Sequence, residues 1–175
     1  MRTSLILIGM PGAGKSTVGV LLAKYAAMGF VDTDVLLQRH TGERLQQTLD
    51  RDGYQALRRT EEQVILGLAE PGCVIATGGS AVYSPAAMAH LHGLGRIVFL
   101  DVPLEVLRPR LSDFAARGIA GPPGRSLEQV HAERLPLYRR YAEVTVACTD
   151  RSAEAIAREL AALAREQALP PLHAT

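Results

Sequence analysis

A chain of 175 residues is the size of a single domain with a substantial buried core, which leaves little room for a second. Its 19 basic and 18 acidic side chains nearly cancel, so net charge argues against nucleic acid or an anionic membrane as the main partner. Cys73 and Cys148 are too few and too far apart for a disulfide framework, no zinc-type spacing occurs, and no apolar run approaches the roughly 20 residues of a membrane-spanning helix.

The chain enters an apolar run at Ser4-Leu5-Ile6-Leu7-Ile8 with no basic leader or cleavage site before it, from which a cytoplasmic protein is expected. That run reads as a strand buried on both faces of a parallel sheet. Next comes Gly9-Met10-Pro11-Gly12-Ala13-Gly14-Lys15-Ser16, which fits G-x-x-x-x-G-K-[ST] at every fixed position. Residues 17–25 then carry apolar side chains at helical spacing. Strand, glycine loop and helix in this order point backbone N–H groups and a helix N-terminus at phosphate oxygens. Lys15 is expected to reach the β- and γ-phosphates of a nucleotide, and the Ser16 hydroxyl to ligate Mg²⁺.

Phe30-Val31-Asp32 reads as a second strand, closed by Asp32-Thr33-Asp34. Two carboxylates at alternate positions of an extended segment point the same way, one toward a metal ion and one toward a phosphoryl acceptor; the other reading makes one of them a helix cap. Residues 35–39, 45–49 and 55–68 read as helical. Within the last, Arg58 is spaced to pair with Glu61 or Glu62, a surface contact worth only about 0.3–0.5 kcal/mol.

Residues 73–77 form a third strand that runs into Gly78-Gly79, suited either to close approach of a ligand or to a tight turn. A helix near 85–91 precedes a fourth strand at 96–100. Its terminal Asp101 matches an acidic metal ligand in position, but it precedes Val102-Pro103 and is read as the cap of a helix over 104–111. Residues 118–124 lack a regular pattern, 127–141 read as a helix, and 144–147 as a fifth strand. Ser152 caps a last helix through 168, and the tail with Pro170-Pro171 is expected to fray. None of the five histidines sits in a motif, and all are read as surface residues. Strands and helices alternating in this way make an α/β fold with a parallel sheet covered on both faces, and ligands bind beyond the carboxyl ends of its strands.

Five features resemble the shikimate kinases in order and spacing, over residues 4–165: the glycine loop, Asp32-Thr33-Asp34, Arg58-Arg59-Thr60-Glu61-Glu62, Thr77-Gly78-Gly79, and Glu133-Arg134-Leu135-Pro136-Leu137-Tyr138. The resemblance implies a monomeric kinase of the nucleoside-monophosphate-kinase type. It has a five-stranded parallel sheet in the order 2-3-1-4-5 and transfers the γ-phosphoryl group of ATP to the 3-hydroxyl of shikimate. One domain spans 1–168, with acceptor-binding helices over about 34–70, a lid over about 112–125, and a tail at 169–175.

By the same resemblance, Gly12, Ala13, Gly14, Lys15, Ser16 and Thr17 hold the phosphates, while Ser16 and Asp32 hold Mg²⁺. Asp34 takes the acceptor hydroxyls, Arg58 and Arg134 its carboxylate, and Gly78 and Gly79 approach it through the backbone. Arg110 packs on adenine. Independently of the family, two guanidinium forks from different segments suit a carboxylated acceptor such as a polyol acid.

The chain departs from the family pattern twice. Ser80 stands where a third glycine is usual, and the lid lacks the usual Arg-Pro-Leu-Leu, leaving Arg117 or Arg125 to bring charge to the phosphates. Arg117, just before the lid glycines, is the expected one. A rewritten lid also fits a related kinase for a different hydroxyl acceptor, gluconate- or homoserine-like, or a nucleotide-binding protein with little kinase activity.

Overall fold

A computed structural model describes residues 3–111 and 124–166. The predicted tail, most of the predicted lid, and Arg117 lie outside the described residues. β1 (Ser4–Ile8) runs through the middle of the sheet, and all five of its residues are buried. It pairs in parallel with β3 (Cys73–Ala76) on one side and β4 (Gly95–Asp101) on the other. β2 (Gly29–Asp32) and β5 (Val144–Ala147) complete the order β2-β3-β1-β4-β5 expected from the family resemblance. Ile6, Leu7 and Ile8 have no exposed surface, and burying each such side chain contributes about 2 kcal/mol.

Helices cover both faces. α1 (Lys15–Ala26) follows the glycine loop and packs against α7 (Ala153–Glu166). α2 (Thr33–Thr41) and α3 (Leu45–Leu66) lean on one another over a small separate core of Leu37 and Leu57, flanked by Leu45, Leu49 and Val64. The two segments predicted at 45–49 and 55–68 are continuous except at Gly53, where φ of 78° breaks the helical path. α4 (Pro85–Leu94), α5 (Leu104–Arg110) and α6 (Leu127–Tyr141) complete the set. Among the described residues, no helix is long and apolar enough to cross a membrane.

Asp101 does not cap α5. It is the last residue of β4, and the cap position belongs to Pro103, which offers no side-chain acceptor. A capping carboxylate must reach the amides two or three residues on, and α5 starts too late for that.

Candidate active site

The glycine loop joins β1 to α1 at the carboxyl edge of the sheet. Gly14 takes the α1 cap position at φ 87°, a left-handed conformation that a side chain would strain, and the cap has no side-chain hydrogen bond. The helix N-terminus is therefore presented by backbone alone, which suits an anion. Lys15 is 8% exposed, and its ammonium donates to the carbonyls of Gly9 (2.8 Å) and Met10 (2.9 Å) of its own loop. Burial lowers its pKa to about 8, although the carboxylates of Asp34, Asp32 and Glu61 act the other way.

At the end of β2 the two carboxylates are not arranged as the alternating extended segment predicts. α2 begins at Thr33, one residue after the strand ends, so Asp34 lies in the first helical turn. Asp32 is the cap: its Oδ1 accepts from the amides of Asp34 (3.0 Å) and Val35 (3.4 Å). Burial pushes the Asp34 carboxyl above the usual range, with Lys15 opposing and Asp32 adding to the rise. Thr33 Oγ1 accepts from the Gly78 amide at 2.9 Å and so ties this corner to the end of β3.

Gly78 and Gly79 make room for side chains from the glycine loop and three helices. A Cβ on Gly78 would lie 2.2 Å from Glu61 Oε1 and 2.7 Å from Asp34 Oδ1; one on Gly79 would lie 2.8 Å from Pro11 Cδ and 2.9 Å from Arg134 Nη1. Both glycines are therefore places of close approach. Arg134 is 1% exposed, and its Nε donates to Tyr83 Oη at 3.3 Å. One turn further along α6, Tyr138 Oη donates to the Gly79 carbonyl at 2.7 Å while its ring stacks on Phe99 with centroids 5.2 Å apart.

The Arg58 guanidinium lies over the Tyr83 ring, 3.6 Å from its centroid, and that of Arg134 lies 5.2 Å from the same centroid. Tyr83 thus brings together the two arginines predicted to hold an acceptor carboxylate. Sequence reasoning gave Tyr83 no role, because it lies in a short 3₁₀ turn (Ala81–Tyr83) outside every motif.

Glu61 differs most from expectation. Instead of a surface partner for Arg58, it is 4% exposed, with Oε2 accepting from the Ser80 hydroxyl; Glu62 accepts from Ser84. Burial raises the Glu61 pKa to about 7, while the Ser80 hydrogen bond lowers it. Because the folded-state value lies above the ordinary 4.5, this group's contribution to stability is complete below about pH 4.5 and lost as pH rises through about 7.

A cavity of about 370 Å³ joins these features, lined by Gly12, Gly14, Lys15, Ser16 and Thr17 of the phosphate loop and the start of α1. Asp34, Glu61, Gly79, Ser80 and Arg134 line the same cavity. Ala13 is buried within the loop, and Arg110 reaches back to donate to the Gly12 carbonyl at 3.1 Å. Arg125 lies apart, paired with Glu133 at 3.1 Å. A phosphate cradle, a basic residue, two carboxylates and Arg134 in one cleft, with Arg58 beside Arg134 on the Tyr83 ring, are the parts of a site that moves a phosphoryl group onto an anionic acceptor.

Comparison with known proteins agrees in sequence and in fold. The shikimate kinase family model matches residues 11–165. The shikimate kinase of Thiobacillus denitrificans is 38% identical over 162 residues, covering 91% of this chain and 88% of its own length. That of Vibrio parahaemolyticus is 34% identical over 169 residues, covering 95% and 98%. Among solved structures, shikimate kinase from Acinetobacter baumannii in complex with shikimate superposes with a TM-score of 0.88 at 28% identity, covering 97% of each chain. The Aquifex aeolicus enzyme gives 0.80 at 30% identity, covering 95% of this chain and 98% of that one.

Proposed function

Because the chain belongs to the shikimate kinase family, we propose that the cleft transfers the γ-phosphoryl group of ATP to the 3-hydroxyl of shikimate. The observation that carries this reading is a cavity lined by Lys15 and Ser16 together with Asp34, Glu61 and Arg134. Relatives at this level of identity are shikimate kinases, which favours shikimate over a gluconate- or homoserine-like acceptor and an enzyme over a binding-only protein.

In this reading the loop amides and the Lys15 ammonium hold the phosphates, and Arg110, fixed at the Gly12 carbonyl, packs on the adenine. Arg58 and Arg134, gathered on Tyr83, grip the acceptor carboxylate and set its orientation. Asp34 accepts the proton of the reacting hydroxyl as its oxygen bonds to the γ-phosphorus and the bond to the β-γ bridging oxygen breaks. A carboxylate whose proton affinity is raised by burial suits that task. Arg117 supplies further positive charge to the phosphates.

The hydroxyl of Ser16 lines the cleft, and the carboxylate of Asp32, which caps α2, acts on the neighbouring Lys15; both are hard oxygen donors of the kind Mg²⁺ takes. When bound there, the ion neutralises charge on the β- and γ-phosphates.

The arginine pair tests the division of the cleft. Arg58→Ala and Arg134→Ala are each expected to lower kcat/KM for shikimate by roughly 10- to 100-fold, as removal of charge-assisted hydrogen bonds does. Nucleotide affinity, measured by calorimetric titration, should stay near that of the unaltered protein. Loss of ATP binding in both variants would mean that these residues serve the nucleotide instead.

A further inference from the structure

Ser80 and Glu61 line two cavities at once. One is the cleft of about 370 Å³; the other, about 200 Å³, is bounded also by Arg58, Tyr83 and Ser84. The hydrogen bond from the Ser80 hydroxyl to Glu61 Oε2 spans the wall between them. Ser80 is itself held, because its carbonyl accepts from the Tyr83 amide at 3.0 Å at the start of the 3₁₀ turn. The residue is 9% exposed, so the bond is sheltered from water.

The two oxygens of Glu61 are therefore in different situations. Oε2 is tied to Ser80, whereas Oε1 is buried without a hydrogen-bond partner among the described residues, aimed over Gly78 beside Asp34 Oδ1. The charges that act on this carboxylate come from three elements: Asp34 on α2, Lys15 on α1 and Arg134 on α6. Two of them are cations that the proposed reaction needs for phosphate and for the acceptor carboxylate. A buried carboxylate released from its anchor would turn toward those cations, because an unpaired buried charge is costly and attraction across a low-dielectric interior is strong.

We propose that Ser80 is a positioning residue of the acceptor site, whose hydroxyl anchors Glu61 in the wall of the cleft and keeps its carboxylate from competing with the acceptor for Arg134. This rests on the function proposed above. Ser80 acts only through Glu61, so its loss is felt as weaker binding of the carboxylated acceptor, with nucleotide binding and the fold left intact.

Steady-state kinetics of Ser80→Ala, Ser80→Thr, Glu61→Gln and the Ser80→Ala/Glu61→Gln double variant test this. Ser80→Ala should raise KM for shikimate about tenfold, the size expected for a lost hydrogen bond to a charged group, with KM for ATP and the melting temperature little changed. Ser80→Thr keeps the hydroxyl and should stay near the unaltered protein. In the Glu61→Gln background, where no free carboxylate remains to turn, Ser80→Ala should add little. An unchanged shikimate KM in Ser80→Ala, an equal rise in both KM values, or a full additive effect on Glu61→Gln would each overturn the proposal. Absence of shikimate-dependent turnover in the unaltered protein would instead remove the function on which it rests, and the proposal with it.

Discussion

Replacing Lys15 with alanine is expected to leave a folded protein whose kcat is lower by about 10³-fold or more, since electrostatic contacts to a transferring group are worth several kcal/mol in the transition state. The size follows from placement. Lys15 is buried at the mouth of the glycine loop, and its ammonium is aimed by two loop carbonyls. Stability should change little, for two effects oppose. The variant loses those two hydrogen bonds, but it also loses a charge whose burial lowers its pKa from 10.5 to about 8 and so weighs against folding below that pH. Thermal melting and an ADP-release assay separate fold from turnover. A variant that melts normally and turns over at a near-normal rate would exclude the phosphate role.

Asp34→Asn should lower kcat by about 10²- to 10⁴-fold, the range for loss of a positioned general base. The substitution preserves shape. The amide of residue 34 still donates to Asp32 Oδ1, so the α2 cap is retained. Shikimate affinity, read by titration, should fall much less than kcat, because an asparagine still offers hydrogen bonds to the acceptor hydroxyls. If affinity collapsed while kcat at saturating shikimate held, Asp34 would be a binding group only.

The parts of the site that were legible in the sequence are those fixed by local chemistry. Gly9, Gly14, Lys15 and Ser16 stand at the spacing of a phosphate loop, and the apolar runs of β1, β3 and β4 announce strands buried on both faces. The sheet order came through family resemblance, because strand periodicity does not say which strands are neighbours.

What stayed hidden depends on where separate elements meet. Helical spacing places Glu61 next to Arg58 on a surface, yet Ser80, 19 residues away in sequence, receives it in the interior. Of the two readings open for Asp32-Thr33-Asp34, the fold takes the cap: the strand stops at Asp32 and α2 starts at Thr33, which makes Asp32 a cap and Asp34 a first-turn carboxylate. Asp101 failed as a cap for a similar reason of one or two residues. Tyr83 gave no signal in the sequence, since its role as the platform under Arg58 and Arg134 arises only when a short turn after β3 meets α3 and α6.

The most direct measurement is product identification. The purified protein, incubated with ATP, Mg²⁺ and each of shikimate, gluconate and homoserine, is assayed for ADP, and the phosphorylated product is located by phosphorus-proton correlation NMR. The expected result is ADP formation that depends on shikimate, in equal amount to a single product carrying phosphate on the 3-hydroxyl, with the other acceptors far slower. Faster turnover with gluconate or homoserine, phosphate on another hydroxyl of shikimate, or ADP release indifferent to any acceptor would contradict it.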